Sequence, residues 1–335
     1  MMASERNLKV HRLTRLIATI GAAACLVAPF ATPAALADYP DHPVRVISPY
    51  PPGGGVDAVA RVIAGALTEG TGTSFVVENH GGASGRIGTE IAAKAVPDGY
   101  TLLLGSVGPN AIVPAAYPTL PYDALKSFAP ISLVATSAYA LVVPSSVPAK
   151  NVAELVALAK SQPGKINFGS TGNLGGPHLA GELLKLRANI DVVHVAYKGG
   201  GPMTSALLGK EITFAFASLP TIAGHVKAGT LRVLAVTGDK RAPNLPDVPT
   251  MAESIPGYRV LQWYGLLAPA NTPPAIIAKL NAEVVKALQN PKIKESLARL
   301  DSEAQSSTPE AFQSQIAAEL AQYHELIEKA GIKAE

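Results

Sequence analysis

The sequence predicts an α/β protein built as a hinged pair of lobes, each a mostly parallel sheet flanked by helices, with a cleft between them. Three observations predict it. Short β-prone runs alternate with amphipathic helices in two separate series. Strands of both series run into loops rich in glycine and serine, the place where open α/β sheets bind ligands. A further β-prone segment then leads out of the second series to helices whose apolar stripes need a sheet beneath them. The expected boundaries are a leader at 1–37, the first part of lobe one at 38–139, lobe two at 140–258 and a return to lobe one at 259–335.

The leader is read separately. Arg6, Lys9, Arg12 and Arg15 form a basic start, Leu16 to Ala28 an apolar run, and Ala35-Leu36-Ala37 a small-residue cleavage site. The run is shorter than the ~20 residues of a membrane span, so a secretory signal cut after Ala37 is expected. Cys25 raises lipidation as an alternative, but Ala22 stands where a lipidation motif usually has leucine. The leader holds four basic residues and one acidic one, so the formal charge of +3 falls to zero on cleavage. Nothing then favours nucleic acid as a partner. The one cysteine leaves with the leader, so disulfides, thiolate metal sites and cysteine nucleophiles are excluded from the mature chain.

Val44, Val46 and Ile47 mark the first strand, and Val56, Val59, Ala60, Ile63, Ala64 and Leu67 follow at helical spacing. The turn between them is Tyr50-Pro51-Pro52-Gly53-Gly54-Gly55-Val56-Asp57. Its glycines let a ligand approach the main chain, and the free N–H groups of a helix start, with the positive end of the helix dipole, favour a carboxylate or phosphate. Gly54 is the glycine expected to meet the ligand. The plain alternative is a tight turn with Asp57 near the helix cap, and a carboxylate there would repel an anion. Gly70 is placed at the helix end. Ser74 to Val77 and Tyr100 to Leu104 are the next strands, with a helix over 86–95 between them, and 107–128 is irregular.

Leu133 to Val143 is nearly uncharged and β-prone and is read as the crossing into the second lobe. Asn151 with Glu154 opens a helix. Strands follow near 166–168, 192–195, 213–216 and 231–236, ending in Gly169-Ser170-Thr171-Gly172-Asn173 and Lys198-Gly199-Gly200-Gly201. Tyr258 to Leu267 crosses back. Pro273 and Thr308-Pro309-Glu310 open the closing helices.

The loops at the strand ends carry backbone donors and hydroxyls with little fixed charge, which suits an anion held by neutral dipoles. Arg86 and Lys198 are the exceptions, each with an ordinary solvated charge as its alternative. His178 opens a helix after the Ser170 loop, where capping or packing competes with ligand contact. Trp263 and Tyr264 lie on the returning strand, where core packing competes with a place in the pocket, and Tyr50 is better placed to close one. No enzyme is expected. Gly82-Ala83-Ser84-Gly85 lacks the spacing of a nucleophile elbow, the glycine patterns match no nucleotide loop, and the histidines show no metal-ligand spacing. No catalytic residue, cofactor or metal is assigned.

Six segments in order carry a resemblance: Pro49 to Asp57, Phe168 to Gly172, His178-Leu179-Ala180, Tyr197-Lys198-Gly199, Val226 to Gly229 and Gly265 to Ala270. Together they resemble the Bug family, the periplasmic substrate-binding proteins of tripartite tricarboxylate transporters, from about Pro40 to the C-terminus. One departure is Asn79-His80-Gly81-Gly82, with glycine where the family usually has proline. The resemblance implies a Venus-flytrap fold and a ligand carboxylate gripped by main-chain amides and waters from both lobes. The grip would fall on Gly53 to Val56 and on Ser170 to Asn173, with Ser106 beside them. The ligand-site expectation therefore comprises Tyr50, Gly53, Gly54, Gly55, Val56, Asp57, Gly85, Arg86, Ser106, Ser170, Thr171, Gly172, Asn173, His178, Tyr197 and Lys198. The function implied is capture of a small organic acid in the periplasm by a monomer that hands it to the membrane components of such a transporter. A sensory partner of a histidine kinase is the alternative role for the same cleft.

Overall fold

The computed structural model describes residues 39–332, so the leader, its cleavage site and the last three residues lie outside the described part. Both half-sheets of the fold are built on one long strand, β4 (Phe128–Pro144). Its sequence is uncharged and almost continuously buried, as a strand covered on both faces must be. The β-prone run expected over Leu133 to Val143 is part of this longer strand, and register shifts after Pro130 and Leu133 mark bulges that twist it.

Up to Ala138, β4 pairs antiparallel with β9 (Leu261–Pro269) and with the short β10 (Glu303–Ala304). From Tyr139 onward it pairs antiparallel with β7 (Phe214–Ser218) and β8 (Leu231–Val236). One strand thus belongs to two half-sheets, which define the first and second lobes. In the first, β9 pairs with β3 (Thr101–Ser106), and β3 and β2 (Phe75–Asn79) lie parallel on either side of β1 (Val44–Ser48). In the second, β7 lies parallel to β5 (Asn167–Ser170), and β5 parallel to β6 (Val193–Ala196). The sheet as a whole is mixed. Its parallel pairs are β1 with β2 and β3 and β5 with β6 and β7, and every antiparallel pair involves β4 or β9, the strands that cross between lobes.

This register fixes where strand ends fall. Ser106, the last residue of β3, is opposite Tyr264 on β9, and Tyr264 is opposite Ala135 on β4. Ser218, the last residue of β7, is opposite Tyr139, four residues further along β4. At the rise of a strand, four residues span roughly 13 Å, so carboxyl ends from both lobes meet close to the crossing.

The helices follow the apolar spacing. Helix α1 (Gly55–Thr71) buries Val56, Val59, Ala60, Ile63, Ala64 and Leu67 and runs past Gly70 to a left-handed cap at Gly72. Helix α2 (Arg86–Ala93) follows a single 3-10 turn, and the irregular stretch after β3 holds a π-turn at Gly108–Ile112 and the short α3 (Val113–Ala116). In the second lobe come α4 (Val152–Ser161), α5 (Gly176–Ala188), α6 (Gly200–Leu208), α7 (Leu219–Lys227) and α8 (Met251–Ser254). The chain closes with α9 (Pro274–Gln289), α10 (Pro291–Arg299) and α11 (Pro309–Ala330). Helices α9 and α11 pack on β4, and α11 also packs on α5 of the second lobe. No helix among the described residues is long and apolar enough to cross a membrane. Trp263 is fully buried against Phe312, its Nε1 donating to Glu319 at 2.6 Å, so it is a core residue.

Candidate ligand site

The loop after β1 is held by one buried carboxylate. Asp57 accepts from the N–H of Gly53 at 2.9 Å, from Nδ2 of Asn79 at 2.9 Å and from Nε of Arg61 at 3.1 Å. Burial works against its charge, yet the hydrogen bonds from Arg61, Gly53 and Asn79 together hold its carboxyl below the usual range. Asn79 also donates to the carbonyl of Tyr50 at 3.0 Å, which closes the loop from the end of β2. Asp57 is thus turned into the loop as its organiser, and the Gly53 N–H is engaged by it.

The glycines divide the remaining work. Gly53 has φ of +86°, a left-handed turn that glycine adopts without strain. Gly54 caps α1 in extended backbone, and a side chain there would meet only the carbonyl of Pro51 at 3.8 Å. Gly55 is the close approach, since a Cβ on it would lie 3.1 Å from the hydroxyl of Tyr264. No side chain caps this helix, so its first-turn N–H groups are left to whatever lies before them.

Tyr50 turns toward the loop after β3. A Cβ at Gly108 would lie 2.7 Å from its hydroxyl, and one at Gly85 would lie 3.3 Å from its ring. Burial raises its phenol, offset in part by the neighbouring Ser106 hydroxyl. Oδ1 of Asn110 accepts the Ser106 N–H at 3.1 Å, while Ser106 Oγ and Asn110 Nδ2 are buried without a well-aligned partner. Gly85 caps α2 with φ of +89°. Arg86 is directed elsewhere: its guanidinium lies 4.5 Å over the ring of Tyr117 and its Nε donates to the carbonyl of Ala83 at 3.0 Å.

The second lobe builds its loop differently. Ser170 Oγ lies 2.7 Å from Nε2 of His194, donates to the Gly172 carbonyl at 3.0 Å and accepts the Gly172 N–H at 3.2 Å. His178 stacks on His194 with ring centroids 3.8 Å apart. Its Nδ1 accepts the Leu174 N–H at 3.1 Å, so the neutral ring carries its proton on Nε2. Burial, then the charges of its neighbours, lowers His178 to about 3, and His194 falls to about 4 by burial. His178 is thus engaged in capping the Leu174 N–H and in the stack with His194, and the Ser170 hydroxyl is engaged by Gly172 and His194. Thr171 and Gly172 are partly exposed and Asn173 is exposed, and the Tyr197 N–H ties the next loop to Ser170 at 3.0 Å. Lys198 is exposed.

Tyr139, which sequence reading passed over, joins the two sets of loops. It is buried at the crossing, its hydroxyl donates to Gln262 at 3.2 Å, and a Cβ at Gly176 would run into that hydroxyl. Burial raises its phenol, and the phenols of Tyr264 and Tyr50 add to the effect. Tyr264 is pushed up to about 12 by burial, then by Tyr50 and Asp301. All three hydroxyls stay neutral. The starts of α1 in one lobe and of α5 in the other thus both abut one group of tyrosines. Adjacency of Tyr264 to Trp263 was the available signal for one of them, whereas Tyr139 looked like any residue of a long β run.

Comparison with known proteins gives the same picture. Residues 59–332 match the family model described as tripartite tricarboxylate transporter family receptor. The chain is 35% identical over 323 residues to the protein BugT of Bordetella pertussis, covering 96% of this chain and 99% of that one. Among solved structures, Rpa4515 of R. palustris with adipate superposes with a TM-score of 0.75 at 34% identity, covering 88% of this chain and 99% of that one. MatC from Rhodopseudomonas palustris with bound malate gives 0.71 at 28% identity, covering 86% and 100%. With a two-lobed α/β fold, paired helix starts at the crossing and a match along most of its length, the chain belongs to the Bug family of tripartite tricarboxylate transporter receptors.

Proposed function

We propose that the protein binds a small organic acid between its lobes, with a ligand carboxylate held by neutral donors, and delivers it to the membrane components of its transporter. The observation that carries this reading is the convergence of two helix starts on one tyrosine group: Gly55 under Tyr264 in the first lobe and Gly176 under Tyr139 in the second. The helices have 17 and 13 residues, and their aligned peptide dipoles put partial positive charge at these starts. The first-lobe donors are the N–H groups of Gly54, Gly55 and Val56 and the hydroxyls of Tyr264, Tyr50 and Ser106. In the second lobe they are the loop from Thr171 to Asn173 and the main chain beside Tyr197. The similar proteins solved with adipate and with malate support a carboxylate ligand.

The lobes divide at 139/140 and 258/259, and the two crossings are the hinge. The family relation favours import over sensing and binding over catalysis. It also supports a periplasmic location, and a mature chain starting at Asp38 belongs to the proposal on the strength of the leader pattern in the sequence. Native mass spectrometry of freshly purified protein, followed by calorimetry with adipate, malate and other di- and tricarboxylates, tests the proposal. Retention or micromolar binding of an organic acid is expected, near −8.2 kcal/mol. Binding of cations or sugars with no acid bound would refute it.

A further inference from the structure

One carboxylate outside these loops touches both lobes. Asp301 follows α10 in the left-handed position that ends a helix, with φ of +54°, its own N–H returning to Ala298 and the Ser302 N–H to Leu297. Glycine is the usual occupant of such a position, and a side chain there lowers stability unless it does something else. Its main-chain carbonyl accepts from Ser137 Oγ at 2.7 Å, which fixes it to β4 just before the crossing. Its carboxylate reaches the other lobe, where the N–H of Leu219 in the first turn of α7 points at it. Oδ2 is fully buried and has no partner. The residue also lines a cavity of about 440 Å³ with Leu219, Ile222, Val226, Leu245 and Arg299.

Resting on the capture reading above, we infer that Asp301 is a positioning residue of ligand capture: a half-buried first-lobe carboxylate with Oδ2 fully buried beside α7 of the second lobe, whose desolvation sets how readily the lobes close. A charge with one oxygen unsatisfied opposes the arrangement that buries it. The surrounding groups do not neutralise it. Arg299 on α10 is held by Glu295 at 2.8 Å, Lys227 stands at the far end of α7, and Tyr264 on β9 is a neutral phenol. Among the described residues no ion pair reaches Asp301. Burial accordingly raises its carboxyl to about 6, with the Leu219 N–H pulling the other way. A raised carboxyl favours the protonated form, so this arrangement takes up a proton as pH falls through about 6 and is opposed by the charge above it.

The test uses the mature chain, its Asp301→Asn and Asp301→Gly variants, and adipate as probe. Ligand-free wild type should compact in small-angle scattering as pH falls through about 6, while Asp301→Asn is compact on both sides. Calorimetry should show Asp301→Asn binding adipate up to roughly tenfold tighter than wild type at neutral pH. That ratio should shrink toward one in acid, and taking the ratio cancels titration of adipate itself. Asp301→Gly relieves the left-handed backbone, so it should melt no lower than wild type while losing the proton linkage. Parallel pH profiles for wild type and Asp301→Asn would overturn the inference, and so would an Asp301→Gly variant that melts well below wild type, since the side chain would then be a structural pin. Failure of wild type to bind adipate, malate or any other acid would count against the capture reading alone, because the ligand-free scattering still decides the role of Asp301.

Discussion

The two lobes present similar glycine-rich loops to the crossing but brace them by opposite means. In the first lobe the brace is a charge: Asp57 is buried and ionised, and it gathers Gly53, Arg61 and Asn79 around itself. In the second the brace is neutral, a stacked pair of imidazoles that cap Leu174 and hold Ser170. A charge brace needs its carboxylate deprotonated, and an imidazole brace needs its rings unprotonated. The two loops should therefore fail at different acidities, and that difference is the most direct way to break the comparison.

The largest effect is expected in the second lobe. His178 and His194 are lowered to about 3 and about 4 from an ordinary 6.5. A base with a depressed native pKa contributes stability that is complete above the unfolded value and is lost as pH falls from about 6.5 toward about 4. At ~1.4 kcal/mol per unit the coupled pair amounts to several kcal/mol. Asp57 is depressed instead below 3.8, so its contribution persists to lower pH and is lost only below that value. Hydrogen exchange followed during acidification should show the segments around 170–178 and 194 opening first, with 50–61 still protected. Simultaneous loss of both would mean that the histidine pair does not brace the second loop. A His178→Phe, His194→Phe double variant keeps the stack but should lose this early step.

Asp57→Ala comes next. Arg61 is more than half exposed and can rehydrate, so the penalty comes mainly from the stranded N–H of Gly53 and Nδ2 of Asn79. A loss of about 2 kcal/mol is expected for such unpaired donors, with ligand affinity falling as well because the loop ahead of α1 is no longer held. Denaturant midpoints and calorimetry on one preparation separate the two. A stable variant with normal affinity would show that the loop is shaped by its glycines alone.

The comparison also shows what a sequence can carry. Periodicity placed the helix faces, because an apolar stripe every three or four residues has few other uses. Composition singled out the glycine-rich loops that lead to the helix starts beside Tyr264 and Tyr139. What stayed hidden were side chains whose role depends on pairing across the sheet: Tyr139 reaches its loop through the register of β4 and Asn79 through the pairing of β2 with β1, while Asp301 is tied to β4 by Ser137. The same limit explains the glycines. Three in a row announce a close approach, and the one the structure shows is that of Gly55 to the Tyr264 hydroxyl, while Gly53 absorbs the left-handed turn and Gly54 the cap. Gly55→Ala, at a helix start where alanine is tolerated, sharpens this. Its Cβ would press on the Tyr264 hydroxyl, and an affinity loss of roughly tenfold, about 1.4 kcal/mol, is expected with the melting temperature nearly unchanged. An equal loss from Gly54→Ala would return the close approach to the neighbouring residue.

The smallest effects are expected from the two cations. Arg86 is spent on the ring of Tyr117 and the carbonyl of Ala83, and Lys198 projects into solvent. Neither is committed to the tyrosine group, and screening over a Debye length of roughly 8 Å weakens an exposed charge acting from the rim. The neutral donors can suffice without them. Hydrogen bonds to a charged group contribute roughly 1.5–3 kcal/mol each, so four give about 6–12 kcal/mol before the ordering terms that oppose association. Arg86→Ala and Lys198→Ala should each weaken binding less than roughly threefold, under about 0.7 kcal/mol. Their effect should fade as salt is raised, whereas the Gly55→Ala effect should not. Should either deletion abolish binding at physiological salt while Gly55→Ala leaves it intact, the anion is clamped by a cation and the contrast between a charge-braced and a neutral loop has no bearing on how the ligand is held.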